Sequence, residues 1–251
     1  MTKITLITGA SRGLGRNTAL SIARRGGDVI ITYQSRADEE KAVVAEIEKM
    51  GRKALAFRLD SGNVSAFAPF AEQLRTALHE TWSRDTFDHL VNNAGHGDTA
   101  RIGETTEAQF DGLVNVHFKG VYFLTQTLLP LIVNGGRIVN ISSGLTRMAF
   151  PGYAAYASAK AAVETLSVYM AKELGSRGIA VNTVAPGAIE TDFGGGAVRD
   201  NADFNKAIAG MTALGRVGLP DDVGPVIANL LLEDSRWINA QRIEVSGGQG
   251  I

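Results

Sequence analysis

Ile4-Thr5-Leu6-Ile7-Thr8-Gly9-Ala10-Ser11-Arg12-Gly13-Leu14-Gly15 is the stretch on which the reading of this chain turns. An apolar, β-branched run breaks at a glycine-rich turn, and helical spacing follows over 13–25. Glycines in such a turn let the backbone bend tightly and bring N–H groups against a pyrophosphate. The N-terminus of the helix behind them adds the positive end of its dipole. The spacing is G-x-x-x-G-x-G; a G-x-G-x-x-G pattern fails because Thr18 stands where its last glycine would be. Taken alone, the turn is equally a tight connection. At the first strand of an alternating α/β chain it points to a nucleotide, with Gly9, Ser11, Arg12, Gly13, Leu14 and Gly15 as candidate contacts.

The alternation is present. Apolar runs recur at 4–8, 29–33, 54–59, 89–92, 137–141, 179–184 and 242–245. Helical spacing occupies 13–25, 38–50, 64–81, 107–133, 153–175 and 221–232. Strands separated by helices imply βαβ crossovers, and near-continuous apolar strands imply a sheet covered on both faces. The expected fold is therefore α/β: a doubly wound, Rossmann-type, seven-stranded parallel sheet with helices on both faces. With 251 residues and no repeat or linker, a single dinucleotide-binding and catalytic domain is expected over 1–251. Residues 190–216 break the pattern with Gly194-Gly195-Gly196, Phe193, Phe204 and Met211, and read either as a substrate lid or as a flexible insertion.

Composition excludes several classes. A hydrophobic share of 45% and a charged share of 20% are ordinary for a globular protein, and a net charge of −1 offers no broad attraction for nucleic acid or an anionic membrane. No cysteine is present, which removes disulfides and thiolate-bound zinc and agrees with a reducing compartment. The four histidines, His79, His89, His96 and His117, lack close metal-ligand spacing, so no metal is expected. The apolar run 121–133 is too short to span a bilayer, and a strand beginning at Ile4 leaves no room for a signal peptide. A cytoplasmic protein is expected.

The second strand chooses between nucleotides. An NAD site wants a carboxylate at its end to accept from the ribose 2′-OH. Here Tyr33 is followed by Gln34-Ser35-Arg36, with no acid before Asp38. Arg12 and Arg36 could pair with a 2′-phosphate instead, or be solvated surface residues. NADP(H) is the expected cofactor.

The chemistry is read from Tyr156-Ala157-Ser158-Ala159-Lys160, near the start of a long helical segment. Positions i and i+4 share a helix face, so phenol and ammonium can enter one cleft, and the ammonium favours the phenolate. Such pairs also arise as plain surface contacts. The fifth strand, however, delivers Ser142-Ser143-Gly144 at its carboxyl end, and the fourth delivers Asn92-Asn93-Ala94-Gly95 at the same rim. That rim is where open α/β sheets hold ligands.

In this order the motifs resemble the short-chain dehydrogenase/reductase family over nearly the whole chain. Thr8–Gly15 is similar to its T-G-x-x-x-G-x-G loop, Asn92–Gly95 to its N-N-A-G segment, and Tyr156 with Lys160 to its Y-x-x-x-K pair. The resemblance implies Ser143 as catalytic serine, ahead of Ser142, and Asn115 as the helix asparagine that anchors a water and proton relay to Lys160. It implies Asp60 at the adenine amine, where composition alone suggests a loop cap, and Asn93, Ala94 and Gly95 along the cofactor. Pro186 and Gly187 would flank the nicotinamide, with Ile189 and Thr191 reaching its carboxamide. Tyr33 at the place of the NAD-selecting acid, with Ser35, Arg36 and Arg12, implies NADP preference. A homotetramer, or a homodimer, built on the helices over 106–133 and 153–175 and on the last strand, is likewise implied.

The expected function is NADPH-dependent reduction of a ketone to an alcohol, with Tyr156 as general acid/base and a small carbonyl or alcohol molecule as substrate. A 3-oxoacyl-carrier-protein reductase is an alternative; residues 128–136 carry no Lys or Arg for an acidic partner, while Arg147, Lys172 and Arg177 leave it open. A non-catalytic NADP sensor is a further alternative, disfavoured because Asn115, Ser143, Tyr156 and Lys160 are all present.

Overall fold

Short β-branched runs cannot bury their backbone alone, and here they do so in one parallel sheet. The computed structural model describes residues 2–35, 37–232 and 235–251. Its strands are β1 (Ile4–Ile7), β2 (Asp28–Tyr33), β3 (Ala54–Arg58), β4 (Phe87–Asn92), β5 (Ile132–Ile141), β6 (Ala180–Pro186) and β7 (Arg242–Val245). They lie in the order β3-β2-β1-β4-β5-β6-β7, every neighbour parallel. The chain order reverses between β1 and β4, and the crevice at that switch point opens at the strands' carboxyl ends.

The helices are α1 (Gly13–Arg24), α2 (Ala37–Lys49), α3 (Phe67–Trp82), α4 (Glu107–Val114), α5 (Gly120–Leu128), α6 (Ala154–Leu174), α7 (Ala197–Asp200), α8 (Ala202–Gly210) and α9 (Pro220–Leu232). Strand side chains alternate between faces with period two. Ile7, Val29, Ile31 and Val91 pack with Ile22 of α1, Val43 of α2 and Ile227 of α9. Leu6, Ile30 and Leu90 pack on the other face with Phe70 of α3, Leu124 of α5 and Ala171 of α6. This is the doubly wound architecture the sequence predicts.

Two segments depart from the sequence reading. The helix expected over 107–133 is interrupted by a π-helical turn, Asn115–Lys119, between α4 and α5, and β5 already begins at Ile132, just past Pro130. The fourth strand, read over 89–92, begins at Phe87, and residues 78–88 close the amino end of the sheet. There Trp82 Nε1 donates to Asp28 at 2.8 Å, while buried Asp88 accepts from Lys3 and Arg84, both at 2.9 Å.

His89, beside Asp88, is 2% exposed, and neither ring nitrogen has a partner. Burial, opposed by the Asp88 charge, lowers its pKa to about 4. An unfolded chain therefore takes up a proton near pH 6.5 that the fold refuses until about pH 4. Stability is full above pH 6.5 and declines as pH falls toward 4, by about 3 kcal/mol from this residue. Melting curves at pH 7.5 and 5 are expected to show the drop, and His89→Leu to shrink it; an equally steep decline in that variant would refute the assignment.

Candidate active site

The carboxyl ends of β1, β4, β5 and β6 surround a cavity of about 550 Å³, a size in the range of small-molecule sites. Its floor is held by a buried polar ladder. Asn92 Nδ2 donates to Asn140 at 2.8 Å and to Thr125 at 3.0 Å, and Asn140 Nδ2 donates to Ser167 at 2.8 Å. This joins β4, β5, α5 and α6, the elements that carry the reactive groups.

The phosphate loop is tied to the turn after β4. Thr8 Oγ1 accepts from the N–H groups of Asn93 at 3.0 Å and Ala94 at 2.9 Å, and Asn93 Nδ2 donates to the Thr8 and Gly9 carbonyls. Gly9 has φ +63, and a Cβ there would stand 2.8 Å from Ala94 Cα. Only glycine lets loop and turn come this close. No side chain caps the N-terminus of α1, and its first turn holds no acid, so its N–H groups are free for a phosphate. Along the rim past β2 stand Tyr33, Gln34 and Ser35, without a carboxylate. These features fit a dinucleotide bearing a 2′-phosphate.

Gly9, Ser11, Arg12, Gly13, Leu14, Gly15, Tyr33 and Ser35 all line the cavity, as do Asp60, Asn93, Ala94, Gly95, Pro186, Gly187, Ile189 and Thr191. Arg36 lies outside the described residues. Asp60 also caps its own turn, Oδ1 accepting from the Gly62 N–H at 2.9 Å. Arg12 is otherwise engaged than expected: its guanidinium donates to Asp192 at 3.0 Å, and Asp192 is shared with Arg199.

Tyr156 and Lys160 enter the cavity from the first turns of α6, both buried. Lys160 Nζ donates to the Ile141 carbonyl at 2.7 Å and stands 5.8 Å from the Tyr156 ring centroid. Burial lowers the Lys160 pKa to about 7. Burial pushes the Tyr156 phenol above its ordinary value, against a hydrogen bond with Ser143 that pulls it down. The sequence reading weighed only the ammonium, which lowers the phenol; in the fold burial outweighs the lowering contact, which comes from Ser143, and the phenol stays protonated at neutral pH. That is the state from which a phenol can donate a proton.

The two serines separate. Ser143 Oγ accepts from the Leu145 N–H at 3.2 Å and faces Tyr156, whereas Ser142 Oγ donates to Glu164 at 2.6 Å, within a cluster that includes Arg242 and Thr146. Ser143, not Ser142, is the serine that contacts the Tyr156 hydroxyl.

Asn115 is absent from the cavity lining, its Cβ standing 3.9 Å from where a Cβ on Gly62 would be. The residue of this helix that meets Tyr156 is His117, 1% exposed, its ring edge-to-face with the phenol at 5.0 Å between centroids. A straight helix read at period 3.6 hides this, because the π turn changes which side chains face inward. The available signal was a histidine set between Val116 and Phe118, two residues past Asn115.

Phe193 and Phe204 line the cavity and Met211 does not. The Phe193 ring lies 5.6 Å from that of Tyr156.

A family model described as enoyl-(acyl carrier protein) reductase matches residues 9–249. The hydroxynaphthalene reductase-like protein Arp2 of Metarhizium robertsii is 35% identical, covering 98% of this chain and 94% of that protein. Tetrahydroxynaphthalene reductase PfmaG of Pestalotiopsis fici is also 35% identical, over 98% of this chain and 91% of its own. Among solved structures, the angucycline C-6 ketoreductase LanV with bound NADP superposes with a TM-score of 0.93 at 36% identity, covering 98% of this chain and 95% of that one. The promiscuous reductase LugOII, which catalyses keto-reduction at C1 during lugdunomycin biosynthesis, gives 0.92 at 39% identity, covering 98% and 96%.

Proposed function

The chain belongs to the short-chain dehydrogenase/reductase family, and we propose that it is an NADPH-dependent ketoreductase whose substrate is a ketone on a fused-ring aromatic scaffold. The observation that carries this reading is the wall facing Tyr156. Phe193, with its ring 5.6 Å from that of Tyr156, lines the cavity together with Phe204, Phe150, Met148 and Leu145, an apolar lining suited to a flat ring system. Relatives named for hydroxynaphthalene and angucycline substrates support the same class.

NADPH bound along the phosphate loop would supply the hydride. Ser143 Oγ donates to the ketone oxygen and orients it. Tyr156 gives its phenolic proton to that oxygen as negative charge develops there. Lys160, anchored by the Ile141 carbonyl, places positive charge beside the phenolate that remains. Residues 190–216 act as a lid, with Phe193 excluding water from the reacting carbonyl. The site residues proposed are those that line the cavity, with Asn115 set aside.

A 3-oxoacyl-carrier-protein reductase is less well supported, since Arg147 is paired with Glu244 at 2.9 Å and Arg177 is turned onto Asn134 and the Leu129 carbonyl. We also propose a cytoplasmic homotetramer, or a homodimer, formed through the exposed side chains of Phe110, Tyr122, Phe123, Val168 and Tyr169 on α4, α5 and α6. Among the described residues, no helix is long and apolar enough to cross a membrane.

The test is oxidation of NADPH and NADH at 340 nm against fused-ring aromatic ketones, simple aliphatic ketones and 3-oxoacyl thioesters. Turnover is expected with NADPH and highest kcat/KM with the fused-ring ketones. Phe193→Ala is expected to raise KM for these about tenfold, the worth of a lost aromatic contact of ~1.5 kcal/mol. Equal rates with small thioesters and fused-ring ketones would reject the substrate class.

A further inference from the structure

The side chain of His117 has more structure around it than packing requires. Its Nε2 lies 2.7 Å from the His96 carbonyl and 3.4 Å from the His96 N–H; the shorter contact, to an oxygen that can only accept, makes Nε2 the hydrogen-bearing donor. The neutral ring then has its lone pair on Nδ1. Nδ1 is buried without a partner, an arrangement that native structures rarely leave unexplained. Gly95 makes room for the ring, since a Cβ there would stand 2.5 Å from His117 Cε1. Burial, with the nearby Lys160 charge, lowers the His117 pKa to about 2, so the ring is an acceptor at every working pH.

Lys160 supplies what that acceptor lacks. Its ammonium has three donors, and the Ile141 carbonyl takes one. Its charge reaches His117. The two residues flank the Tyr156 ring, His117 edge-to-face at 5.0 Å and Lys160 at 5.8 Å from its centroid.

We infer that His117 is a positioning residue for the Tyr156–Lys160 pair, its Nδ1 accepting from the Lys160 ammonium through one buried water, while its Nε2–H pins the ring to the loop after β4. This rests on the ketoreductase reading.

Two substitutions divide the ring's functions. His117→Asn keeps an acceptor where Nδ1 stands and loses the link to His96. His117→Gln keeps a donor where Nε2 stands and loses the Nδ1 acceptor. Both are measured for kcat, for KM of the ketone and for NADPH binding by fluorescence, on the substrate the parent enzyme reduces. His117→Gln is expected to lose about 100-fold in kcat, in line with misplacement of a reacting group, with NADPH binding held within threefold. His117→Asn is expected to recover at least tenfold of that loss. Asparagine no better than glutamine, or a loss confined to NADPH binding, would overturn the inference. Imidazole ¹⁵N NMR of the parent protein gives a reading independent of variant folding: an Nε2–H tautomer unchanged down to pH 5 is expected, and protonation above pH 5 would refute it. Absence of turnover in the parent enzyme would instead strike the ketoreductase reading, while the NMR result would still stand on its own.

Discussion

Tyr156→Phe is expected to lower kcat by 10²- to 10⁴-fold, about 3–5 kcal/mol of barrier, while NADPH binding and melting temperature stay near those of the parent. The separation follows from the surroundings of the ring. Tyr156 is buried between His117 and Phe193, with centroid distances of 5.0 and 5.6 Å. Phenylalanine keeps both contacts and removes only the hydroxyl. That hydroxyl makes its contact with Ser143, whose Oγ still accepts from the Leu145 N–H after the change. Ser143 lines the cavity, so the hydroxyl hydrogen it gave to the phenol can turn to water there, and folding has little to lose. The reacting oxygen loses its proton source, and a water reaching it past the apolar wall is a poor replacement. Steady-state turnover alongside fluorescence titration of NADPH decides the matter. Undiminished kcat would remove Tyr156 from the reaction.

Tyr33→Asp is expected to shift the ratio of kcat/KM for NADPH over NADH by about 100-fold toward NADH. The side chain sits at the last position of β2, lining the cavity rim beside Ser35. A carboxylate there accepts from a ribose 2′-OH and repels a 2′-phosphate. A hydrogen bond to a charged group is worth about 1.5–3 kcal/mol, and gain and repulsion act in the same direction. Because Arg12 is held by Asp192, the rim after β2 carries much of the choice. Measuring both cofactors with one ketone gives the ratio directly. An unchanged ratio would place discrimination on Arg12 and Ser35 instead.

The seven strands, their helical crossovers and the reactive pair were legible in the sequence because each is local. Period-two and period-3.6 patterns are set by neighbours along the chain. A Tyr and a Lys four residues apart share a face whatever surrounds them. The phosphate loop was legible for the same reason, since Thr8, Gly9, Gly13 and Gly15 act within one turn. The family resemblance implied Ser143 ahead of Ser142, and the structure shows how the two differ: Ser142 is committed to Glu164.

Long-range approach was not legible. Which face a helix presents after a π turn depends on how it seats against its neighbours, and that seating left Asn115 out of the cavity lining and brought His117 to Tyr156. The partner of Arg12 lies 180 residues away, in the segment that also carries Phe193. The pKa of Tyr156 is governed by burial before any single neighbour, and burial is a property of the whole packed chain. The sequence by itself determined the sheet, the nucleotide loop and the proton donor, each written within a few residues. Only the tertiary structure decided which polar side chain attends the donor, what wall the substrate meets and in which protonation state the donor waits, because those depend on distances across the sheet that no local pattern encodes.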